Sequence, residues 1–404
     1  MRIIIAGNGL AGTMVAKTVR ELDSSAEIKI FSEERHHYYP RPNMIDFLAG
    51  LLPLEKVFAF PPDWVVRQKI ELHLNRRLLK LDLEKQQVTL EGGESLPFDY
   101  LVLTTGSVPW APPLKGLGKS GVFYFRTLDE ALSLIDYLQS RPEVVILGGG
   151  LLGLEIARAL RTRGLEKVTV VEVYDRLLPR QLDPEAASLL RRKLEETKIN
   201  FLLGRVAEEI IGEGSVSGVR FKDGEIKPAG AVIIASGVRP RVELAAESGL
   251  KVNRGIVVDD YLKTSHPRVL AAGDVAEHRE KVYGLIPAAF DQARALAYNL
   301  CGQVKRYEGT IPSSTLKVAG VYVTSIGLVN PEGNEFTSLV KKDEEAGIYK
   351  KLVLKNNACV GAIWMGTKKN VQEVARLIQT GLDISRFKED ILEDEFDFSL
   401  IFER

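Results

Sequence analysis

A chain of 404 residues is long for one hydrophobic core and predicts two or three domains. Hydrophobic residues at 45% and charged residues at 27% allow a sizeable core and exclude intrinsic disorder, while a formal net charge of zero excludes the basic excess of a nucleic-acid binder. Only two cysteines occur, Cys301 and Cys359, far apart and without a C-x-x-C pair, which excludes a disulfide-stapled secreted protein, a thiol–disulfide enzyme and a cysteine-ligated cluster. In chain order, the apolar run at residues 3–5 predicts a buried strand. It leads into Gly7-Asn8-Gly9-Leu10-Ala11-Gly12, then a helical stretch with apolar Leu10, Val15, Val19 and Leu22. A second strand at Glu27–Phe31 ends in Ser32-Glu33-Glu34. Strand, G-x-G-x-x-G, helix, strand and acid is the dinucleotide-binding fingerprint, and physics explains its spacing. Gly7 permits the tight turn, Gly9 lets the backbone approach a pyrophosphate, and Gly12 lets helix and strand pack closely. The helix N-terminus at Leu10, Ala11 and Gly12 offers N–H groups to phosphates, and Glu33, 21 residues beyond Gly12, accepts bonds from a ribose.

The pattern recurs. Residues 144–147 predict a strand, and Gly148-Gly149-Gly150-Leu151-Leu152-Gly153 matches at Gly148, Gly150 and Gly153, with Leu152 in the turn that meets the phosphates. Residues 154–163 read as a helix, Lys167–Glu172 as the next strand, and Glu172 stands 19 residues after Gly153. One such motif is a weak signal; two complete copies are far more specific. Val173 and Tyr174 follow Glu172, where an NADP site usually places an arginine, so NADH is expected, with Arg176 nearby. An apolar strand ending in Thr105-Gly106 has a counterpart ending in Ser236-Gly237, so the two halves read as an internal repeat. Gly273-Asp274 follows one more apolar strand, and residues 287–297 read as a helix. No apolar run reaches the length of a membrane span, and the amino terminus runs straight into a Gly-rich turn, so a cytoplasmic protein is expected.

With these motifs the sequence resembles the FAD-dependent pyridine-nucleotide oxidoreductases with two dinucleotide-binding domains, over nearly the whole chain. It is most similar to NADH:rubredoxin reductases and to the flavin-containing amino-terminal part of NADH-dependent nitrite reductases. Tyr39-Pro40-Arg41-Pro42 is similar to their Y-x-R-P segment, and residues 314–320 resemble the LKVxG stretch that opens their C-terminal domain. The resemblance implies that the first fingerprint holds FAD and the second NADH, and that Arg41 lies by the FAD phosphates. It implies that Gly273 and Asp274 hold the flavin's ribityl and phosphate region, and that the turns at Thr105-Gly106 and Gly237 mark crossings between domains. It also implies a catalytic role for Glu155, which faces nicotinamide and flavin in that family. The lysine that pairs with this glutamate in relatives is replaced by Asp46, so Lys317 is the candidate for the missing charge. The reactive cysteine of related peroxidases is absent from residues 38–50.

The implied fold is α/β: two Rossmann-like domains with parallel central sheets and a C-terminal α+β domain. The expected division is residues 1–110 with 240–309 for FAD, 111–239 for NADH and 310–404 for the last domain. No His/Cys/Asp cluster has metal-ligand spacing, so no metal is expected. Electrons would pass from NADH through flavin to a small redox protein such as rubredoxin. The alternatives are an NADH oxidase, and a flavin-bearing subunit of a larger complex. The last domain is expected to set the acceptor or a homodimer contact. Its lysines between 341 and 369, and its acids at residues 389–397, read as solvated faces or as a docking site for an acidic redox protein.

Overall fold

In the computed structural model, which describes residues 1–318 and 320–403, the strand Arg2–Ala6 lies at the centre of a five-stranded sheet. The order is Val269–Ala271, Tyr100–Leu103, Arg2–Ala6, Glu27–Phe31, Ile70–His73, and all pairings are parallel. Ile3, Ile4 and Ile5 are no more than 2% exposed, because layers cover both faces of the sheet, which explains their uninterrupted apolar run. The first fingerprint helix, Leu10–Leu22, packs beside the helix Ile286–Leu300 on this core.

A second sheet repeats the plan in the order Asn200–Leu203, Lys167–Glu172, Glu143–Leu147, Ala231–Ile234, Val122–Phe123, again parallel throughout. The second fingerprint helix spans Leu151–Thr162, three residues earlier than the apolar periodicity suggested, because the glycine turn feeds it directly. In each half the third layer is a three-stranded antiparallel sheet, which sequence reading did not pick out. One is built from Leu78–Asp82, Gln87–Leu90 and Ser95–Pro97, the other from Ala207–Ile211, Gly218–Phe221 and Ile226–Pro228. Alternation fixes their inner faces: Val88 and Leu90 join the first core, and Ile210, Val219 and Phe221 join Val145, Leu147 and Val232 in the second half. Between the halves, Ser107–Pro109 pairs antiparallel with Val238–Pro240, so the chain crosses twice at adjacent points.

The last region is a five-stranded antiparallel sheet in the order Ser313–Val318, Val321–Gly327, Ala358–Met365, Ile348–Lys355, Phe336–Asp343. Its helix Val371–Thr380 covers Trp364, Leu352 and Leu354 on one face. Leu316, Val323, Tyr349 and Ile363 join the core that holds the second fingerprint helix on the other. The LKVxG-like stretch forms the edge strand, with Ala319 outside the described residues. The acidic and basic runs of this domain meet each other: Lys341 pairs with Glu393, Lys350 with Asp394 at 2.5 Å and Lys369 with Glu395 at 2.6 Å. Lys350 is 1% exposed. Three of the six acids at residues 389–397 are thus paired with lysines of the same domain.

Candidate functional site

Gly7 has φ +115°, and a Cβ there would lie 2.2 Å from the Thr104 carbonyl oxygen. A Cβ on Gly12 would sit 2.0 Å from the carbonyl oxygen of Gly7, so the first helix packs directly on the turn. Gly9 has nothing within 4 Å, and the helix that follows it has no side-chain cap. Side-chain caps occur among the described residues on two helices only, the capping box of Thr127 and Glu130 on Leu128–Leu138 and Asp183 on Pro184–Glu195, so it is the open glycine turn together with the missing cap that sets this terminus apart. An uncapped N-terminus behind open space is a ready anion site.

The rest of the first site gathers around this turn. Gly273 has φ +84° and lies against Ala11, and its N–H donates to Gln292 at 2.8 Å. Asp274 accepts from Ser107 at 2.8 Å and from the Arg126 guanidinium at 2.9 Å. Thr105 donates to the Arg241 carbonyl at 2.9 Å, and the Glu33 carboxylate is ion-paired with Arg241. Arg41 pairs with Glu34 at 2.9 Å, bonds to the Tyr39 hydroxyl at 3.2 Å and donates to the Arg126 carbonyl. Arg126 is a candidate side chain that sequence reading does not reach. It lies 148 residues from Asp274, and no local motif announces it. Burial and then the charge of neighbouring Arg41 pull the Arg126 pKa down, with Asp274 opposing them, and its Nε is buried without a partner.

The second site repeats the glycine geometry. A Cβ on Gly148 would lie 2.4 Å from the Ala235 carbonyl oxygen, and one on Gly153 would lie 1.9 Å from that of Gly148. Gly150 is open, and Leu151–Thr162, with Leu152 in its first turn, has no side-chain cap. Gly237, at φ +119°, also faces open space. Glu172 is 7% exposed, accepting from the N–H of Gly149 at 2.7 Å and of Tyr174 at 3.1 Å. Arg176 pairs with Asp175 at 3.2 Å.

Glu155 is half-buried one turn into this helix. Burial pushes its pKa up, Arg158 opposes that, and Asp46 adds to it. Lys317 is placed elsewhere. It stands next to buried Leu316 on the edge strand and so points away from the second fingerprint helix, with its ammonium 5.2 Å from the centre of the Tyr322 ring. The cation that acts on Glu155 is Arg158, from the same helix. Cys301 and Cys359 are free, and burial pushes the Cys359 thiol up to about 12, which leaves it unreactive. Among the described residues no His/Cys/Asp/Glu group could hold a metal ion, and no helix is long and apolar enough to cross a membrane.

Two parallel-sheet units, each with a glycine-opened and uncapped helix, define a protein with two dinucleotide sites. The comparisons carry that class to a family. The model of the pyridine nucleotide-disulphide oxidoreductases matches residues 1–293, and that of the rubredoxin NAD+ reductase C-terminal domain matches residues 312–382. The chain belongs to the pyridine nucleotide-disulphide oxidoreductase family. It is 38% identical over 386 residues to a nitrite reductase [NAD(P)H] of Bacillus subtilis, covering 95% of this chain and 48% of that protein. A rubredoxin-NAD(+) reductase of Pseudomonas putida is 31% identical over 361 residues, 85% of this chain and 94% of the relative. The ferredoxin reductase for the CYP199A2 system from Rhodopseudomonas palustris superposes with a TM-score of 0.89 at 28% identity, covering 99% of both chains. The chain thus spans about half the length of the nitrite reductase it matches.

Family members are oxidoreductases that use FAD and NAD(P)H, and the residues present fit both groups. Two open helix N-termini suit two pyrophosphates. Arg41 stands close enough to Arg126 to disfavour the charge on Arg126, which a bound anion would relieve.

Proposed function

We propose that this chain passes electrons from NADH through FAD to a small redox protein. The observation that carries the reading is the pair of separate, uncapped dinucleotide cradles in one chain, joined to a C-terminal domain of the rubredoxin-reductase type. FAD, when bound, supplies the ability to take two electrons as a hydride and release them singly. The protein's own part is to bind and orient. We assign the first cradle, with Gly7, Gly9, Gly12, Arg41, Arg126, Gly273 and Asp274, to FAD, and the second, with Gly148, Gly150, Gly153 and Glu172, to NADH. Glu172 supports NADH over NADPH, because a buried carboxylate at the strand end would repel a 2′-phosphate. The two adjacent crossings support dividing the chain into a split FAD domain, an inserted NADH domain and a C-terminal domain.

The test is spectroscopic. The purified protein should be yellow, and NADH added under argon should bleach it. Fast reoxidation by an acidic rubredoxin supports the proposal, whereas fast reoxidation by oxygen alone supports an NADH oxidase. Because the chain matches only part of the nitrite reductase, a third outcome is reoxidation only by a copurifying partner, as for a subunit of a larger complex. A colourless protein that does not bind added FAD would refute the central assignment.

A further inference from the structure

The second fingerprint helix carries Glu155 and, three residues on, Arg158, so the two side chains are neighbours on one helix face. Across the boundary the short helix Asn43–Leu48 presents Asp46, whose Oδ1 is 3.6 Å from the Arg158 guanidinium. Arg158 is 27% exposed, and its Nε is buried without a partner. The two helices are tied again by Arg163, which donates to the carbonyl oxygens of Phe47, at 2.9 Å, and Leu48. One cation is therefore paired with Asp46 across a braced seam and stands one turn along the helix from Glu155, and among the described residues no hydrogen bond fixes the Glu155 carboxylate itself.

We propose that Arg158 and Asp46 form a positioning pair across the domain boundary that sets when Glu155 takes up and releases a proton beside the dinucleotide cleft. The pair departs from the lysine that relatives place opposite this glutamate: position 46 is here an acid, and the cation comes from the helix of Glu155 itself. The other charged groups around this helix are engaged elsewhere. Glu143 and Lys167, at the starts of their strands, pair with each other at 3.6 Å, Glu172 is held by backbone N–H groups, and Lys317 lies over Tyr322. The balance at Glu155 is thus burial and Asp46 favouring the neutral acid, with Arg158 favouring the carboxylate. A neutral Glu155 lets negative charge collect in the cleft, and an ionised one opposes it. That consequence rests on the flavin reading above; the titration of Glu155 does not.

The test follows Glu155 by carbon-13 NMR of the holoprotein labelled at glutamate carboxyls, its signal assigned by loss in Glu155→Gln. Asp46→Asn and Arg158→Gln break the same ion pair, yet the proposal requires opposite results. Asp46→Asn should shift the titration of Glu155 to lower pH and Arg158→Gln to higher pH, each by about tenfold in proton dissociation constant. Arg158→Lys should return it toward wild type. In the same variants the pH at which the flavin midpoint potential changes slope should move in the same opposite senses. Shifts in one common direction, as a loosened seam would give, or no shift at all, overturn the proposal. A protein that NADH cannot bleach counts against the flavin reading alone, because the NMR titration needs no turnover.

Discussion

The first fingerprint strand leads to Glu33, whose side chain is 40% exposed and ion-paired with Arg241, whereas the second ends in Glu172, 7% exposed with both oxygens held by backbone N–H groups. Their glycines are nearly superimposable in role. Gly12 and Gly153 leave clearances of 2.0 and 1.9 Å for a side chain that is not there, while Gly9 and Gly150 look onto open space. The contrast separates two kinds of constraint. The outer glycines of each motif answer to the protein's own packing, which both halves share. The acids answer to their surroundings: one is tied by an arginine side chain, the other is built into the turn.

The largest expected effect breaks the shared part. Gly153→Ala drives a methyl into a backbone oxygen and should cost about 1–3 kcal/mol or more, leaving a yellow protein that NADH no longer bleaches. Gly12→Ala should instead lower flavin content per chain, measured by visible absorbance. Next, Asp274→Asn removes the counter-charge of Arg126. It should lower the stability of the FAD-free protein by about 2 kcal/mol, read by thermal or urea unfolding. The acids come third. Glu172→Gln weakens two backbone hydrogen bonds and should raise the NADH dissociation constant about tenfold, while Glu33→Gln, at a half-exposed pair, should change FAD affinity by no more than about fivefold. Equal effects at the two acids in titration calorimetry would erase the distinction. The smallest effect lies outside both cradles. Lys317 and Lys368 flank the Tyr322 ring at 5.2 and 4.1 Å and have no carboxylate partner among the described residues. Replacing both with Glu should raise KM for an acidic acceptor a few-fold and reverse its salt dependence, with stability unchanged to within about 0.5 kcal/mol.

The legible parts of this molecule are those whose cause is local. The glycine spacing could be read because the constraint acts within one turn, as the contact between Gly12 and Gly7 shows. The parallel strands could be read because burial on both faces forces unbroken apolar runs such as Ile3-Ile4-Ile5. The antiparallel third layers were missed, since strands such as Leu78–Asp82 show only partial alternation. Arg126 meeting Asp274, and Arg158 meeting Asp46, depend on helices and loops brought together from distant segments, and nothing local marks either arginine. For Lys317, strand alternation beside buried Leu316 decides the face it takes, and spacing from a motif does not.

The paired crossings at Ser107–Pro109 and Val238–Pro240 give the middle third of the chain its entrance and its exit at one seam. Its entrance and exit run side by side, about 5 Å apart, so a two-residue turn could bridge them. Excising residues 110–237 in this way removes Arg126 and the core partners of Tyr39, Leu48 and Leu316, so the shortened protein should lose its response to NADH and hold FAD more weakly than the whole chain. Such a protein would accept a different electron donor module at the same seam, and loss of the colour on excision would show that the flavin-holding half needs its insert to fold.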